Sequence, residues 1–302
     1  MLNHGQILGG TLTTPDLDRA LGDYRDRLGL TVVEHGTLPA DLTTSWATPA
    51  STGARFATLQ PTSGAPCFLR LVEQPTPPDF KPTRTYGWAA FEITVQDVYN
   101  WPAKLAGSGF GIIGPPKEIE GLPYFVAMQM TGRGREMIYL NEVRQNTPSS
   151  DLPKAASPVD HIFIVILACA DRPAALDWYA DKVKLDIGGS YTIEYTMINK
   201  AFALPDGTQS TITMVQKGRL PIIEVDGYPD TATVRPGPAD ALPAGNAIVT
   251  LAVDSFDALA LDWITPPVIR DGPFYAGHRT ATVRGPAGEL LELIETPLSP
   301  RA

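Results

Sequence analysis

The chain repeats itself. Residues 20–30 read ALGDYRDRLGL and residues 175–185 read ALDWYADKVKL, and the two align without a gap, sharing Ala, Leu, Tyr, Asp and Leu. A second pair lies further along: EMIYLNEV (136–143) matches ELLELIET (289–296), each after a turn containing Gly and Arg. Tyr24 and Tyr179 are 155 positions apart, Tyr139 and Glu292 153 apart, so two independent segments report nearly the same period. Such a period restricts the fold strongly, because each repeat must be one structural unit whose partners bury what it cannot bury alone. The stretch between the copies, RQNTPSSDLPKAASP (144–158), is polar and rich in Pro and Ser. It reads as a linker. The expected division is therefore an N-terminal domain over 1–146, a linker over 147–158 and a C-terminal domain over 159–302.

Each half divides again. In the first copy Leu17, Leu21, Tyr24 and Leu28 fall on one helical face, as do Leu176, Tyr179 and Val183 in the second. Strand-like runs precede both helices, GQILGGTLTT and VDHIFIVI, and more follow: RFATLQ and CFLRLVEQ in one half, STITMVQ and PIIEVDGY in the other. New strands then begin at GWAAFEITV (87–95) and NAIVTLAV (246–253), each leading into a further expected helix. Four units result, each a strand, a helix and about three more strands.

With 43% hydrophobic and 19% charged residues the composition is that of a globular protein. The longest apolar run, 162–170, suits a buried strand and is too short for a membrane span. The formal charge of −9, with Lys and Arg scattered, argues against nucleic acid, since phosphate binding needs a basic face. The N-terminus shows no secretory pattern, and the two cysteines, Cys67 and Cys169, cannot build a disulfide framework. A reducing cytoplasm is the expected location.

The segment TTPDLDRALGDYRDRLGL, the run VDHIFIVI with its helix, and the close YAGHRTATVRGPAGELLELIE resemble βαβββ modules of the vicinal oxygen chelate superfamily, which includes glyoxalases, bleomycin resistance proteins and extradiol dioxygenases. The resemblance spans nearly the whole chain. It implies an α+β fold of tandem βαβββ modules forming two cupped mixed β-sheets, each half making one cup. It also implies a small-molecule substrate, no nucleic acid or membrane partner, and a homodimer as one possible assembly.

In this superfamily, metal ligands come from the first and last strands of each module. The corresponding positions are Gly9, Arg70, Trp88 and Tyr139 in the N-terminal half, where none suits a divalent cation and Arg70 would repel one. Trp88 and Tyr139 would then fill a vacant cup. In the C-terminal half they are His161, Glu224, Ile248 and Glu292. His161, Glu224 and Glu292 are thus the expected ligands of a divalent metal (Fe, Mn, Ni, Co or Zn), a hard nitrogen and oxygen set that leaves room for substrate. A carboxylate amid an apolar strand is costly to bury unless it is paired or metal-bound. The bland alternative makes His161 a hydrogen-bonded core residue and turns both glutamates to solvent.

Weaker candidates for proton transfer are His278, near the last strand, and Tyr191 and Tyr195, on one strand face with Glu194 on the other. Arg279 reads as structural. The resemblance implies a metal-dependent isomerase or lyase acting through an enolate-like state on a carbonyl-bearing or aromatic metabolite. Ile248, which donates no lone pair, disfavours the first alternative, an extradiol-type dioxygenase. The second is a metal-free binding or resistance protein.

Overall fold

A computed structural model of the protein describes residues 2–119 and 122–296. The four units are present. The first comprises β1 (Ile7–Thr14), α1 (Leu17–Leu21, continued by a wide turn through Arg27), β2 (Thr31–Thr37), α2 (Ala40–Ser45), β3 (Arg55–Gln60) and β4 (Phe68–Glu73). The second has β5 (Gly87–Val95), α3 (Trp101–Lys104), β6 (Gly111–Ile119), β7 (Leu122–Thr131) and β8 (Met137–Val143). The third has β9 (Val159–Cys169), α4 (Arg172–Lys182), β10 (Asp186–Glu194), α5 (Thr196–Phe202), β11 (Gln209–Lys217) and β12 (Leu220–Gly227). The fourth has β13 (Asn246–Val253), β14 (Val268–Arg270), β15 (His278–Arg284) and β16 (Leu290–Glu295).

The helix expected after β13 is a single 3-10 turn, Phe256–Ala258. Pro266 and Pro267 follow closely; proline lacks the N–H a helix needs and drives its predecessor into extended backbone. The helices after β1 and β9 begin as their sequences direct, because Asp16 and Asp171 accept hydrogen bonds from the first-turn amides of Arg19 and Ala174.

The sheets join the modules differently from expectation. One sheet runs β14-β15-β16-β13-β1-β4-β3-β2 and the other β10-β11-β12-β9-β5-β8-β7-β6. The first cup therefore combines modules one and four, the second modules two and three. Neither half of the chain makes a cup alone, so the division at 147–158 separates sequence repeats and not sheets; residues 297–302 of the expected second domain lie outside the described residues. The physical reason lies where β1 meets β5. A Cβ on Gly10 would overlap the Phe91 ring, so these strands pack face to face through a glycine gap instead of edge to edge. The free edges of β1 and β5 are then taken by β13 and β9, both antiparallel.

Thr94↔Asn141 and Val95↔Val159 put both ends of the 144–158 segment at the same end of β5, so a short connection delivers β9 to that edge. That segment is itself docked: Leu152 is buried, and Asp151 receives the Arg219 Nε–H at 2.9 Å.

The main core lies between the sheets, with Leu12, Phe91, Val165 and Leu251 among its members, while each concave face holds a separate cluster. The repeat signature itself crosses this interface. Tyr24 of module one donates to Glu136, just ahead of β8, at 2.8 Å, and Tyr179 of module three donates to Glu289, just ahead of β16, at 2.6 Å. Both cysteines are buried and free, and no helix among the described residues is long and apolar enough to cross a membrane.

Candidate ligand cup

Parallel neighbours at equal register present their side chains to the same face of a sheet. Thr11↔Arg70 and Thr250↔Glu292 align in the first sheet, Glu92↔Tyr139 and Ile166↔Glu224 in the second. Arg70, Tyr139, Glu224 and Glu292 are therefore equivalent, as their sequences imply. On the first strand of each module the residues two positions earlier than these partners are Gly9, Ile248, Ala90 and Ile164. The period of 155 carried from Gly9 also lands on Ile164, three residues beyond His161.

The expected metal ligands are consequently not brought together. Glu292 belongs to the first cup and Glu224 to the second. His161 lies at the start of β9, beside Asp160 (Nδ1 to Oδ1 3.3 Å) and close to Leu30, Pro61 and Cys67, where modules one and three meet. Trp88, expected to fill a cup, points between the sheets and donates its indole N–H to the Leu290 carbonyl at 2.8 Å. The donor chemistry does not suit a divalent cation in either cup. The first offers Gly9, Arg70, Ile248 and Glu292, the second Ala90, Tyr139, Ile164 and Glu224. Among the described residues no group of three His, Cys, Asp or Glu is placed to hold one.

The first cup is filled. Arg70 is 1% exposed, and its guanidinium carbon lies 5.4, 5.7, 4.5 and 5.2 Å from the ring centroids of Trp46, Phe56, Phe274 and Tyr275. Its Nη1 donates to the Tyr275 hydroxyl at 3.0 Å, which donates to Glu292 at 3.2 Å. Trp46 Nε1 and Thr250 Oγ1 complete the Glu292 carboxylate at 2.8 and 2.9 Å. Gly9 stands under this cluster because any Cβ there would meet the Phe274 ring. The buried carboxylate is thus satisfied by three donors, while the buried guanidinium rests on one hydrogen bond and the four rings, its Nε finding no partner among the described residues.

The second cup is open, with a cavity of about 890 Å³. Its floor carries Glu92 of β5, Tyr139 and Asn141 of β8 and Glu224 of β12, and Phe125, Tyr195, Met197 and Ile212 contribute to the walls. The Asn141 side-chain amide donates to Glu92. The Tyr139 hydroxyl lies 3.2 Å from Met197 Sδ and 3.4 Å from the Tyr195 hydroxyl. Glu224 and Asp226 lie on the same face of β12, and burial, then the neighbouring Glu224 charge, raise Asp226 well above the usual carboxylate range, since two adjoining buried carboxyls cannot both ionise. Burial pushes the Glu224 carboxyl up to about 7. Burial, and then the neighbouring Glu224 charge, raise Glu92 well above the usual carboxylate range. Burial also raises the Tyr139 and Tyr195 phenols, which stand as neutral donors.

Of the weaker candidates, Tyr195 reaches the cavity, from just beyond the end of β10. Tyr191 does not line it; its hydroxyl sits 3.3 Å from Ser149 Oγ. Glu194 lies on the rim and accepts the Gly207 N–H at 3.0 Å. His278 belongs to the first sheet, where its amide bonds the Tyr275 carbonyl at 3.0 Å. Arg279 holds Glu295 at 3.0 Å, the structural part expected of it. Sequence reasoning overlooked Glu92, Asn141 and Asp226. The signal that marked Glu224, a polar side chain inside an apolar strand, is equally present in GWAAFEITV, EMIYLNEV and PIIEVDGY.

The Glyoxalase/Bleomycin resistance protein/Dioxygenase superfamily profile matches residues 3–129. No curated protein matches the chain by sequence. Among solved structures, glyoxalase I from Zea mays superimposes with a TM-score of 0.62 at 14% identity, over 96% of this chain and 92% of that one. A provisionally assigned dioxygenase from Bacillus subtilis gives a TM-score of 0.63 at 11% identity, over 99% and 87%. These likenesses extend the fold over both sheets. Residues 3–129 thus carry the signature of the glyoxalase, bleomycin resistance protein and dioxygenase superfamily, and the chain has the four-module vicinal oxygen chelate fold.

Proposed function

We propose that the second cup is an active site for a small carbonyl-bearing molecule, on which Glu224 moves a proton without redox change, as an isomerase or lyase does. The observation that carries this reading is the Glu224 carboxyl, poised at about 7 on the floor of an open cavity. A general base works best when its pKa lies near the operating pH. Glu224 takes a proton from the carbon beside the carbonyl, and the electron pair moves onto the carbonyl oxygen as an enolate. The Tyr139 and Tyr195 phenols and the protonated Glu92, held by Asn141, are donors available to that oxygen. The proton then returns to a neighbouring carbon, or the enolate collapses and expels a leaving group. The donor sets of the cups do not fit a divalent metal, and no step is routed through one. The same absence of a two-histidine, one-carboxylate set weighs against dioxygen activation by iron.

The test is deuterium incorporation from D2O into a panel of small ketones and aldehydes, followed by NMR. Exchange should rise with pH through about 7, as Glu224 loses its proton. Glu224→Gln should lower it on the order of 10²–10⁴-fold. Ligands that bind without exchange in the wild-type protein would replace this reading with that of a binding protein.

A further inference from the structure

The two cups are repeats of one another, so each position in the filled cup has a counterpart in the open one. Module one corresponds to module three and module two to module four, as the helix offset of 155 requires. Arg70 on β4 therefore corresponds to Glu224 on β12, and Glu292 on β16 to Tyr139 on β8.

In the filled cup the chain supplies its own organic cation. Arg70 sits among four aromatic rings and meets the Glu292 carboxylate through Tyr275. In the open cup the acids and rings are present, and among the described residues no cation sits on the floor. Glu92, Glu224 and Asp226 are 4%, 9% and 4% exposed, so all three are at least nine-tenths buried. Among the described residues Glu224 faces the cavity and receives no N–H hydrogen bond, and neither Asp226 oxygen has a partner. Arg172, whose charge Asp226 feels, commits its Nη1 to Thr211 O and Thr213 Oγ1. The rim carries Lys117 and Lys200 against Glu118 and Glu194, two of each sign, whereas the titratable carboxyls of the floor, Glu92 and Glu224, have neutral Tyr139 and Asn141 as their floor neighbours.

We infer that the ligand of the open cup is an organic cation, a protonated amine or guanidine, whose charged group sits against Glu224 and Glu92 among the tyrosine rings, where the filled cup places Arg70. This rests on the open cup being the functional site and adds to the proton-transfer reading the charge of its substrate. The groups facing Glu224 are Asp226 on the same strand, Glu92 on β5, Tyr139 on β8, Tyr195 ahead of α5 and Tyr228 after β12, with Arg172 of α4 beyond Asp226. An ammonium entering this cluster displaces one of its protons to solvent, so charge balances and affinity grows as pH rises toward 7.

Calorimetric titration of the full chain with 2-phenylethylamine, 2-phenylethanol and 3-phenylpropanoate tests this, at pH 6 in buffers of different ionisation enthalpy. The ammonium should bind at least about tenfold more tightly than the alcohol and release close to one proton, while the carboxylate binds weakest. Glu224→Gln, a near-isosteric change, should abolish both the preference and the proton release, and Glu92→Gln should weaken the preference. Equal or tighter binding of the alcohol or carboxylate, a preference surviving in Glu224→Gln, or no binding of the amine at millimolar concentration would overturn the inference. Amine binding together with no deuterium exchange anywhere in the carbonyl panel would overturn the catalytic reading and leave this one standing.

Discussion

Two buried glutamates titrate in the same direction and give the protein a pH signature. Burial pushes Glu136, held by the Tyr24 hydroxyl and the Gly134 amide, up to about 7, and Glu224 up to about 7. In the unfolded chain both return to roughly 4.3. Because the folded values are the higher ones, their contribution to stability is complete below the unfolded value and is lost as pH rises through about 7. The paired surface carboxylate Asp41, depressed by Arg270, has the opposite sign, and its contribution is lost only as pH falls below the unfolded value, so it does not mask this window. Urea unfolding should therefore show the wild-type protein less stable at pH 8 than at pH 5, with Glu136 accounting for roughly 2–3 kcal/mol. In Glu136→Gln that difference should shrink; an unchanged difference would show that Glu136 is ionised in the fold without penalty.

The segments joining the second and third strands decide which cup is filled. In module one α2 is held by the buried Arg270, which donates to Asp41 at 2.5 Å and to Ser45 at 3.2 Å. The chain then turns at Ala47, in the left-handed region at φ 56°, directly after Trp46, whose indole enters the cup beneath Glu292. The module three counterpart, α5, stands at the wall of its cup and leaves the floor bare. Trp46→Ala should remove about 3–5 kcal/mol, because a fully buried ring and a hydrogen bond to a buried carboxylate vanish together. Deuterium exchange in the second cup should be unaffected. A loss below about 1 kcal/mol in urea unfolding would mean that the first cup collapses around the gap.

Across the whole molecule, the halves of the chain are tied by ladders that cross the midpoint, β1 with β13 and β5 with β9. Arg235 adds a clasp between the sheets, donating from Nη2 to the Trp88 carbonyl and from Nη1 to those of Ala244 and Asn246. A protease site placed within 147–157 and cut after folding should leave one particle on native gel filtration, with both fragments co-eluting until denaturant is added. Fragments that separate without denaturant would mean that the crossing ladders contribute little.

The repeat, the four modules and most strand bounds were legible because alternation and helical periodicity are local properties, and a period of about 155 residues needs no structure to be seen. The equivalence of Arg70, Tyr139, Glu224 and Glu292 was legible for the same reason, since each stands at one position of a recurring strand. Glu92 was legible in principle, as an acid in an unbroken apolar run. Module pairing was not. The stretches 74–86 and 144–158 are of similar length, and either would let a module join its chain neighbour. Only the packing of Phe91 into the gap at Gly10 sets β1 and β5 face to face and leaves their edges to modules four and three. That pairing put Glu224 and Glu292 in different cups and left His161 outside both. It also set Glu92 beside Glu224, residues 132 positions apart in the chain, because which side chains share a cavity depends on which strand edges meet, and strand edges carry no sequence label.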